Sequence, residues 1–287
     1  MNLQNIFNEI EKVDPEVYDR VDTRRSAMQR FATLGKTLAL AAIPTALGSL
    51  LNKAYGQNNA AIVDVLNFAL KLEYLEAEFY TRGVAASGLI PAGAATGAMT
   101  TIRDHENAHV NFLKTAIQQL GGTAIARPNF DFSAGGGSGT GPLGNNTFTS
   151  YPVFLAVAQT FEDTGVRAYK GQAPNLISNN DVLTAALKIH SVEARHASHI
   201  RQMRRANGML VTGTLKPWIT LNQSNIDTGN AGLNGAIQQS YNGEELTTQA
   251  TVNIVTPAIN ADRASEAFDE PLTMQQVVTI VTPFFAP

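Results

Sequence analysis

Two stretches of this sequence decide its fold: Glu-Asn-Ala-His at residues 106–109 and Glu-Ala-Arg-His at residues 193–196. Both have the pattern Glu-x-x-His, and residues three apart lie on the same face of an α-helix. Each stretch therefore predicts a helix that directs a carboxylate and an imidazole towards one point. Random placement of Glu and His in a chain of this length gives only about 0.2 such matches, so two matches indicate a shared role.

A second pair of carboxylates repeats in register with the two motifs. Glu73 is followed seven residues later by Tyr80, and Glu162 is followed seven residues later by Tyr169. Each half of the region therefore reads Glu, Tyr and then Glu-x-x-His, which indicates one helical hairpin used twice. Two such hairpins, related by an approximate two-fold axis, would bring four Glu and two His side chains to one shared point.

The periodicity of apolar residues around these motifs predicts four helices. They are expected over residues 61–83, 99–120, 152–170 and 181–207. Gly83 and the Gly/Pro/Ala-rich stretch after it are expected to end the first helix, and Gly208 is expected to end the fourth. The links within each pair are short, whereas the connection from Thr123 to Tyr151 is long and glycine-rich. One long crossover is typical of ferritin-like bundles and not of up-and-down bundles.

Together these features resemble the ferritin-like di-iron or di-manganese carboxylate family, in which one Glu from each of two helices joins a Glu-x-x-His from each of the other two. The resemblance covers residues 61–208 and implies an all-α four-helix bundle. The metal ligands that it implies are Glu73, Glu106, His109, Glu162, Glu193 and His196. In that arrangement the motif glutamates bridge two ions, each His caps one ion, and the other two glutamates are terminal ligands. A narrower similarity, to bacterial ferritin-like proteins called desiccation-related, rests on the leader, residues 72–80 and residues 268–273.

Carboxylate and imidazole ligands suit iron and manganese without any thiolate, and the chain has no Cys. We therefore expect two iron or two manganese ions and redox chemistry with O₂ or H₂O₂, of the ferroxidase or the manganese-catalase type. Tyr80 and Tyr169 would lie near the metals as hydrogen-bonding or redox-active groups, or would be ordinary core residues. The alternative function is a non-enzymatic stress or structural protein with a structural metal.

Several residues near the motifs allow alternative assignments. Glu76 competes with Glu73 for the first ligand position, but the corresponding position in the second half is Gly165, which favours Glu73. His105 corresponds to Val192 in the repeat, so we expect it to support a ligand or to pack in the core.

The remaining polar residues on the motif helices have less specific predictions. Asp104 and Asp163 are expected either to orient a ligand or to form surface salt bridges. His190 and His199 have no counterparts in the first half, which predicts structural or surface roles.

The first 56 residues predict an export signal. Arg24 and Arg25 precede an uncharged run from Thr37 to Asn52, and Ala54-Tyr55-Gly56 places small residues before a cleavage point. The pattern resembles a twin-arginine signal and implies an exported, periplasmic protein; without a functional signal the protein would be cytoplasmic. The uncharged run contains a proline and is shorter than the roughly 20 residues of a bilayer span, so we expect no membrane span in the mature chain.

Composition excludes several other functions. A formal net charge of −3 provides no basic surplus for nucleic acid. The absence of Cys excludes disulfide scaffolds, zinc ribbons and thiolate nucleophiles. The motif Gly-Thr-Gly-Pro-Leu-Gly at residues 139–144 formally fits a dinucleotide-binding pattern, but no strand is predicted before it and no helix directly after it, so we interpret it as a loop.

The sequence divides into the leader, a bundle over residues 57–208 and a C-terminal extension over residues 209–287. The extension is rich in Asn, Thr, Gly and Gln, yet it retains apolar residues such as Trp218 and Phe284. We expect it to wrap around the bundle or to form a contact in a homo-oligomer. Within it we expect a short strand in residues 248–255 and a short helix over residues 272–281.

Overall fold

The computed structural model describes residues 59–287, and a four-helix bundle forms its centre. The export signal predicted for residues 1–56 lies outside these described residues. The bundle helices are α1 (Asn59–Ala85), α2 (Ala94–Gln119), α3 (Tyr151–Gln172) and α4 (Asn180–Asn207). Contacts are most extensive between α1 and α2 and between α3 and α4, so the bundle consists of two helical hairpins. The predicted all-α four-helix bundle with one long crossover is confirmed.

Several helix boundaries differ from the sequence prediction by one to five residues, and two of these differences have identifiable reasons. The helix α2 begins at Ala94 and not at residue 99, because the Ala/Thr-rich stretch before Met99 is compatible with helix. Gly83 does not end α1 but lies inside it, where any Cβ atom would overlap the ring of Phe154 on α3. Its small size therefore permits close packing of two helices. Gly208 ends α4 as predicted, with φ of 74° in the left-handed region.

Two apolar clusters fill the bundle and leave a polar layer between them. One contains Phe79, whose ring stacks on Phe154 with 4.6 Å between centroids and an interplanar angle of 9°. The other contains Leu66, Leu70 and Leu113 near the opposite end of the first hairpin. On α2 and α4 the predicted ligands fall between the segments that form these clusters, and all six predicted ligands are buried.

The long crossover between the hairpins is an ordered loop held by one carboxylate. Asp131 accepts hydrogen bonds from the side chain and backbone N–H of Ser133 and from the backbone N–H groups of Gly137 and Gly139. These bonds hold the pKa of Asp131 below its ordinary value, at about 2. The strand β1 (Asn129–Phe130) precedes this loop. The dinucleotide-type motif therefore lies in a structural loop, as predicted.

The C-terminal extension has little regular structure. Its elements are α5 (Ala231–Gln238), the strands β2 (Thr248–Gln249) and β3 (Val252–Asn253), α6 (Ala261–Ser265), α7 (Met274–Val281) and β4 (Phe285–Ala286). The sequence predicted one strand in residues 248–255, but the structure has a tight hairpin of β2 and β3 with positive φ at Ala250 and Thr251. The helices α5 and α6 were not predicted, because they are short and lack a clear apolar period.

The extension contacts the bundle through buried apolar and polar groups. Val277 and Val281 of α7 lie in the same apolar cluster as Phe79. The guanidinium of Arg167 on α3 donates hydrogen bonds to backbone carbonyls of the extension, those of Ser240 (2.6 Å), Asn242 (2.9 Å) and Glu270 (2.7 Å). Within residues 59–287 the structure contains no helix with the length and hydrophobicity needed to cross a membrane.

A second buried polar network links α3, α4 and the extension. Asp163 on α3 accepts two hydrogen bonds from Arg201 on α4, at 2.5 Å and 3.2 Å. Tyr241 of the extension donates a third hydrogen bond to the same carboxylate at 2.8 Å. We call Asp163, Arg201 and Tyr241 the tail anchor. Because all three side chains are buried, the anchor depends on complete pairing of its polar groups.

Candidate metal centre

The six side chains predicted as ligands meet in the polar layer at the middle of the bundle. They are Glu73 on α1, Glu106 and His109 on α2, Glu162 on α3, and Glu193 and His196 on α4. The four glutamates are completely buried, and the two histidines are nearly so. The repeated register of the sequence therefore corresponds to a convergence of side chains in space.

One group of side chains surrounds His109. The Nδ1 atom of this residue lies 3.1 Å from Glu73 Oε2, 3.1 Å from Glu106 Oε2 and 3.2 Å from Glu193 Oε1. One ligand atom from each of the four residues lies within 4.8 Å of the others, a spacing that permits them to hold one metal ion. We call these four residues the His109 cluster.

A second group surrounds His196 in the same way. The Nδ1 atom of His196 lies 2.8 Å from Glu106 Oε1 and 3.3 Å from Glu162 Oε2. Glu193 completes this His196 cluster, again with ligand atoms within 4.8 Å of one another. Glu106 and Glu193 belong to both clusters, so the site has two four-residue groups that share two carboxylates.

The hydrogen-bonding state of these atoms tests whether the residues fit a metal. Within the two clusters, the buried side-chain atoms without a hydrogen-bond partner are Glu106 Oε1, Glu162 Oε2, both carboxylate oxygens of Glu193 and His196 Nδ1. The pair Glu106 Oε1 and His196 Nδ1 is close at 2.8 Å, but it is not aligned for a hydrogen bond. Unpaired buried polar atoms are costly unless a cation satisfies them. This donor set of oxygen and nitrogen fits iron or manganese.

Burial and mutual repulsion change the protonation of the carboxylates. Burial raises the pKa of Glu73 to about 7, although the neighbouring His109 opposes the change. Burial and the charges of Glu106 and Glu73 raise the pKa of Glu193 well above its ordinary value. Burial would also raise the pKa of Glu106, but His109 and His196 hold it below its ordinary value. The site without metal therefore retains protons on part of its carboxylates.

The two imidazoles also retain protons in the absence of metal. Burial lowers the pKa of His109, but the charges of Glu73 and Glu106 outweigh this effect and raise it well above its ordinary value. Burial likewise opposes protonation of His196, but Glu162 and Glu106 raise its pKa to about 11. A metal ion must displace these protons, because it binds the neutral imidazole and the ionised carboxylate.

The two predicted tyrosines form hydrogen bonds with Glu73 and Glu162 in a crossed manner. The hydroxyl of Tyr169 on α3 donates to Glu73 Oε1 on α1, and the hydroxyl of Tyr80 on α1 donates to Glu162 on α3. Burial, together with the charge of the partner glutamate, raises the pKa of both phenols well above the ordinary value. Both hydroxyls therefore remain protonated and orient the carboxylates.

Two further polar residues lie against the site. Glu76 is buried but belongs to neither cluster. Burial, and then the charges of Glu193 and Glu106, raise its pKa well above the ordinary value. His105 lies with its Nδ1 atom 2.9 Å from His196 Nε2, and the two rings are stacked. His105 therefore contacts a predicted ligand, in line with the supporting role expected from the sequence.

The other polar residues weighed in the sequence have structural roles. Asp104 forms a partly exposed salt bridge with its neighbour Arg103 at 2.7 Å, the second of its two predicted roles. Asp163 has neither predicted role, since it is buried in the tail anchor with Arg201. Its partner in the extension, Tyr241, is 78 residues away in the sequence. No sequence pattern relates these two residues. The Nδ1 atom of His190 lies 3.0 Å from the carbonyl oxygen of Val166.

Comparison with known proteins agrees with this geometry at the level of the family. Residues 61–206 match the sequence profile of the ferritin-like domain, a segment that contains all six predicted ligands. No curated protein matches the chain. The matched segment covers half of the sequence and extends from α1 to the end of α4, so this chain belongs to the ferritin-like domain family.

Proposed function

We propose that this chain is an exported ferritin-like protein that binds a dinuclear iron or manganese centre and performs redox chemistry with O₂ or H₂O₂. The observation that most supports this proposal is the sharing of Glu106 and Glu193 between the two clusters. Carboxylates shared in this way would hold two ions close together. A close pair of ions can act jointly on one small oxygen-containing molecule.

The charges of the site support two cations. Four ligand carboxylates carry four negative charges when ionised, and two divalent ions would balance them. Without cations, the same four charges in a buried layer would be highly unfavourable. The ligand side chains are buried, so the protein would supply position, charge balance and limited access of water, while the metal pair would supply the electrons.

The tyrosines would act on the terminal ligands and not on the metals directly. Each phenol donates to one oxygen of a glutamate and leaves the other oxygen facing the site, as for Glu73, where Tyr169 contacts Oε1 and His109 contacts Oε2. Such bonds fix the orientation of a ligand and tune its basicity. Tyr80 would hold Glu162 in the same way.

Metal content tests the proposal. Protein isolated from its native compartment should contain about two iron or manganese ions per chain, and the double variant Glu106→Ala/His196→Ala should lose both. Glu78→Ala/His199→Ala is a matched control, because it removes the same residue types from α1 and α4 outside the clusters. Native protein without metal, which neither ion reconstitutes, would contradict the dinuclear centre.

Activity of the loaded protein then distinguishes the functions. Ferrous oxidation with O₂ by the iron form would indicate a ferroxidase, and disproportionation of H₂O₂ by the manganese form would indicate a catalase. Two bound ions with neither activity would support the non-enzymatic stress or structural function, with metal as a stabilising element.

Export is tested in cells. We propose that Arg24 and Arg25 belong to a twin-arginine signal, so Arg24→Lys/Arg25→Lys should leave the full-length chain in the cytoplasm. The unchanged chain should appear outside the cytoplasm in a shortened form. Cytoplasmic retention of the unchanged chain would contradict export.

A further inference from the structure

An apolar cavity lies inside the bundle, mainly within the second of its two apolar clusters. All four helices contribute to its lining, with Leu66 on α1, Ala116 on α2, Tyr169 on α3 and Ala186 on α4 among the residues that surround it. Its lining residues are buried except Phe68, which is partly exposed. The cavity is therefore an interior space of the bundle.

The cavity adjoins the layer of predicted ligands. Three of its lining residues lie one helical turn from a ligand on the same helix. These are Ala69 before Glu73, Phe112 after His109, and Ile189 before Glu193. Residues at this spacing are neighbours on one helix face. All three of these ligands belong to the His109 cluster, so the cavity lies beside that cluster.

The lining offers almost no hydrogen-bonding group. Among the described residues that line the cavity, only Tyr169 and Gln172 have polar side chains. The hydroxyl of Tyr169 donates to Glu73 Oε1 at 2.5 Å, and Gln172 Oε1 accepts a hydrogen bond from Asn175 at 3.0 Å. A water molecule buried in a protein typically makes about three hydrogen bonds. The cavity should therefore exclude water and accept an apolar molecule.

The size of the cavity restricts it to a small molecule. The centre of a water-sized molecule can occupy about 20 Å³ of this space, whereas one such molecule needs roughly 10–15 Å³. A diatomic gas therefore fits the cavity, and a long hydrocarbon chain does not.

We propose that this cavity binds O₂ and delivers it to the His109 cluster, so that O₂ and not H₂O₂ is the oxidant that reaches the site through it. This inference rests on the proposed dinuclear centre. O₂ loses no hydrogen bond donor to water when it enters an apolar space. H₂O₂ has two O–H donors, and their burial without partners is unfavourable.

Xenon, an apolar gas, tests the cavity independently of any metal. In crystals of the protein under xenon pressure, electron density for xenon should appear between Leu66, Ala116 and Ala186. The variant Ala186→Leu adds a larger side chain to the lining and should abolish this density. Ala185→Leu is the matched control, because Ala185 is the adjacent buried alanine of α4 but does not line the cavity. Absence of xenon from the cavity of the unchanged protein would overturn the inference.

A variant that enlarges the cavity provides the same test if Ala186→Leu does not fold. Leu66→Ala removes buried atoms from the lining, two helical turns before Glu73, and should raise the occupancy of xenon. An occupancy that is the same in Leu66→Ala and in the unchanged protein would also overturn the inference.

The choice of oxidant tests delivery to the site. In iron-loaded protein, Ala186→Leu should slow the oxidation of bound Fe²⁺ by O₂ severalfold, whereas oxidation by H₂O₂ and the iron content should not change. Ala185→Leu should change neither rate. Equal slowing with both oxidants, or no slowing with O₂, would overturn the inference and leave the dinuclear centre intact. Protein that binds neither iron nor manganese would contradict the proposed function, and with it the delivery of O₂, even if xenon occupies the cavity.

Discussion

Tyr169 and Glu73 are joined by a hydrogen bond of 2.5 Å between the phenol and Oε1, although they lie on different hairpins of the bundle. Tyr80 on the first hairpin donates the equivalent hydrogen bond to Glu162 on the second hairpin. Each hairpin thus provides the hydroxyl that donates to a buried carboxylate of the other hairpin. The two halves are therefore connected directly at the layer where the predicted ligands meet.

Removal of one of these hydroxyls should weaken metal binding without loss of the fold. Tyr169→Phe leaves Glu73 without its donor, and we expect metal affinity to fall by about 10–100-fold. Competition with a coloured chelator measures this change. Tyr74→Phe on α1 is the control, because Tyr74 is also buried but, within residues 59–287, its hydroxyl makes no hydrogen bond to a predicted ligand like that of Tyr169. Equal affinity in Tyr169→Phe and the unchanged protein would show that the hydrogen bond does not support the ligand.

Metal binding should release protons and become stronger as the pH rises from 5 to 8. Burial raises the pKa of Glu73 from 4.5 to about 7, and neighbouring glutamates raise the pKa of His196 to about 11 despite its burial. These protons must leave before an ion binds. Calorimetry in buffers with different ionisation enthalpies should show net proton release, and binding without proton release would contradict the protonation described for the site.

The same pKa values give the sign of the pH dependence of stability. In the metal-free protein, the folded state binds the Glu73 proton more tightly than the unfolded state does. The contribution of Glu73 to the free energy of unfolding therefore falls as the pH rises from about 4.5 to about 7. The elevated pKa of His196 acts in the same direction at higher pH. The difference in Tm between metal-loaded and metal-free protein should therefore widen from pH 5 to pH 8. A constant difference would contradict this linkage.

The tail anchor should be a major contributor to stability. Asp163→Ala leaves Arg201 and Tyr241 buried without their partner, which should cost about 3–5 kcal/mol of the free energy of unfolding in urea. Arg103→Ala removes a partly exposed pair with Asp104 and should cost less than about 1 kcal/mol. Similar losses in the two variants would show that the buried pairing is not what holds the extension.

A methyl group at Gly171 should displace the extension. A Cβ atom there would overlap the carbonyl oxygen of Leu272, and such overpacking typically costs about 1–3 kcal/mol. Gly97 is also helical, but a Cβ atom at that residue would have no neighbouring atom within 4 Å, so Gly97→Ala should stabilise by about 0.5–1 kcal/mol. Thermal unfolding measures both changes. A higher Tm for Gly171→Ala would contradict the close approach of the extension to α3.

The bundle helices and the candidate ligands could be predicted because they follow local sequence patterns and an internal repeat. The four bundle helices follow from apolar periodicity, which depends on neighbouring residues only. The matched spacing in two halves of the chain predicts the convergence of Glu73 with Glu162, and the structure buries both and groups each with Glu106 and Glu193. The packing role of Gly83 against Phe154 could not be predicted. In a sequence, a glycine that permits close helix packing cannot be distinguished from a glycine that ends a helix.

Contacts of the extension could not be predicted in the same way. Asp163 and Tyr241 are 78 residues apart, and no repeat relates the extension to the bundle. The direction of Glu76 also depends on the space left by Gly165, which becomes visible only when the helices are packed. Asp163 has neither of its two expected roles, the orientation of a ligand or a surface salt bridge, because Tyr241 of the extension and Arg201 bury its carboxylate.

The pairing of β1 with β4 has a consequence for the folding pathway. This pairing brings Asn129 opposite Ala286 and Phe130 opposite Phe285, so it closes a very long loop and is entropically unfavourable until the bundle exists. The hairpins, which depend on local contacts, should therefore form first and leave the apolar surface beneath α7 temporarily uncovered. Chains arrested at this intermediate would be prone to aggregate, and the late closure by β4 would protect the mature fold from self-association.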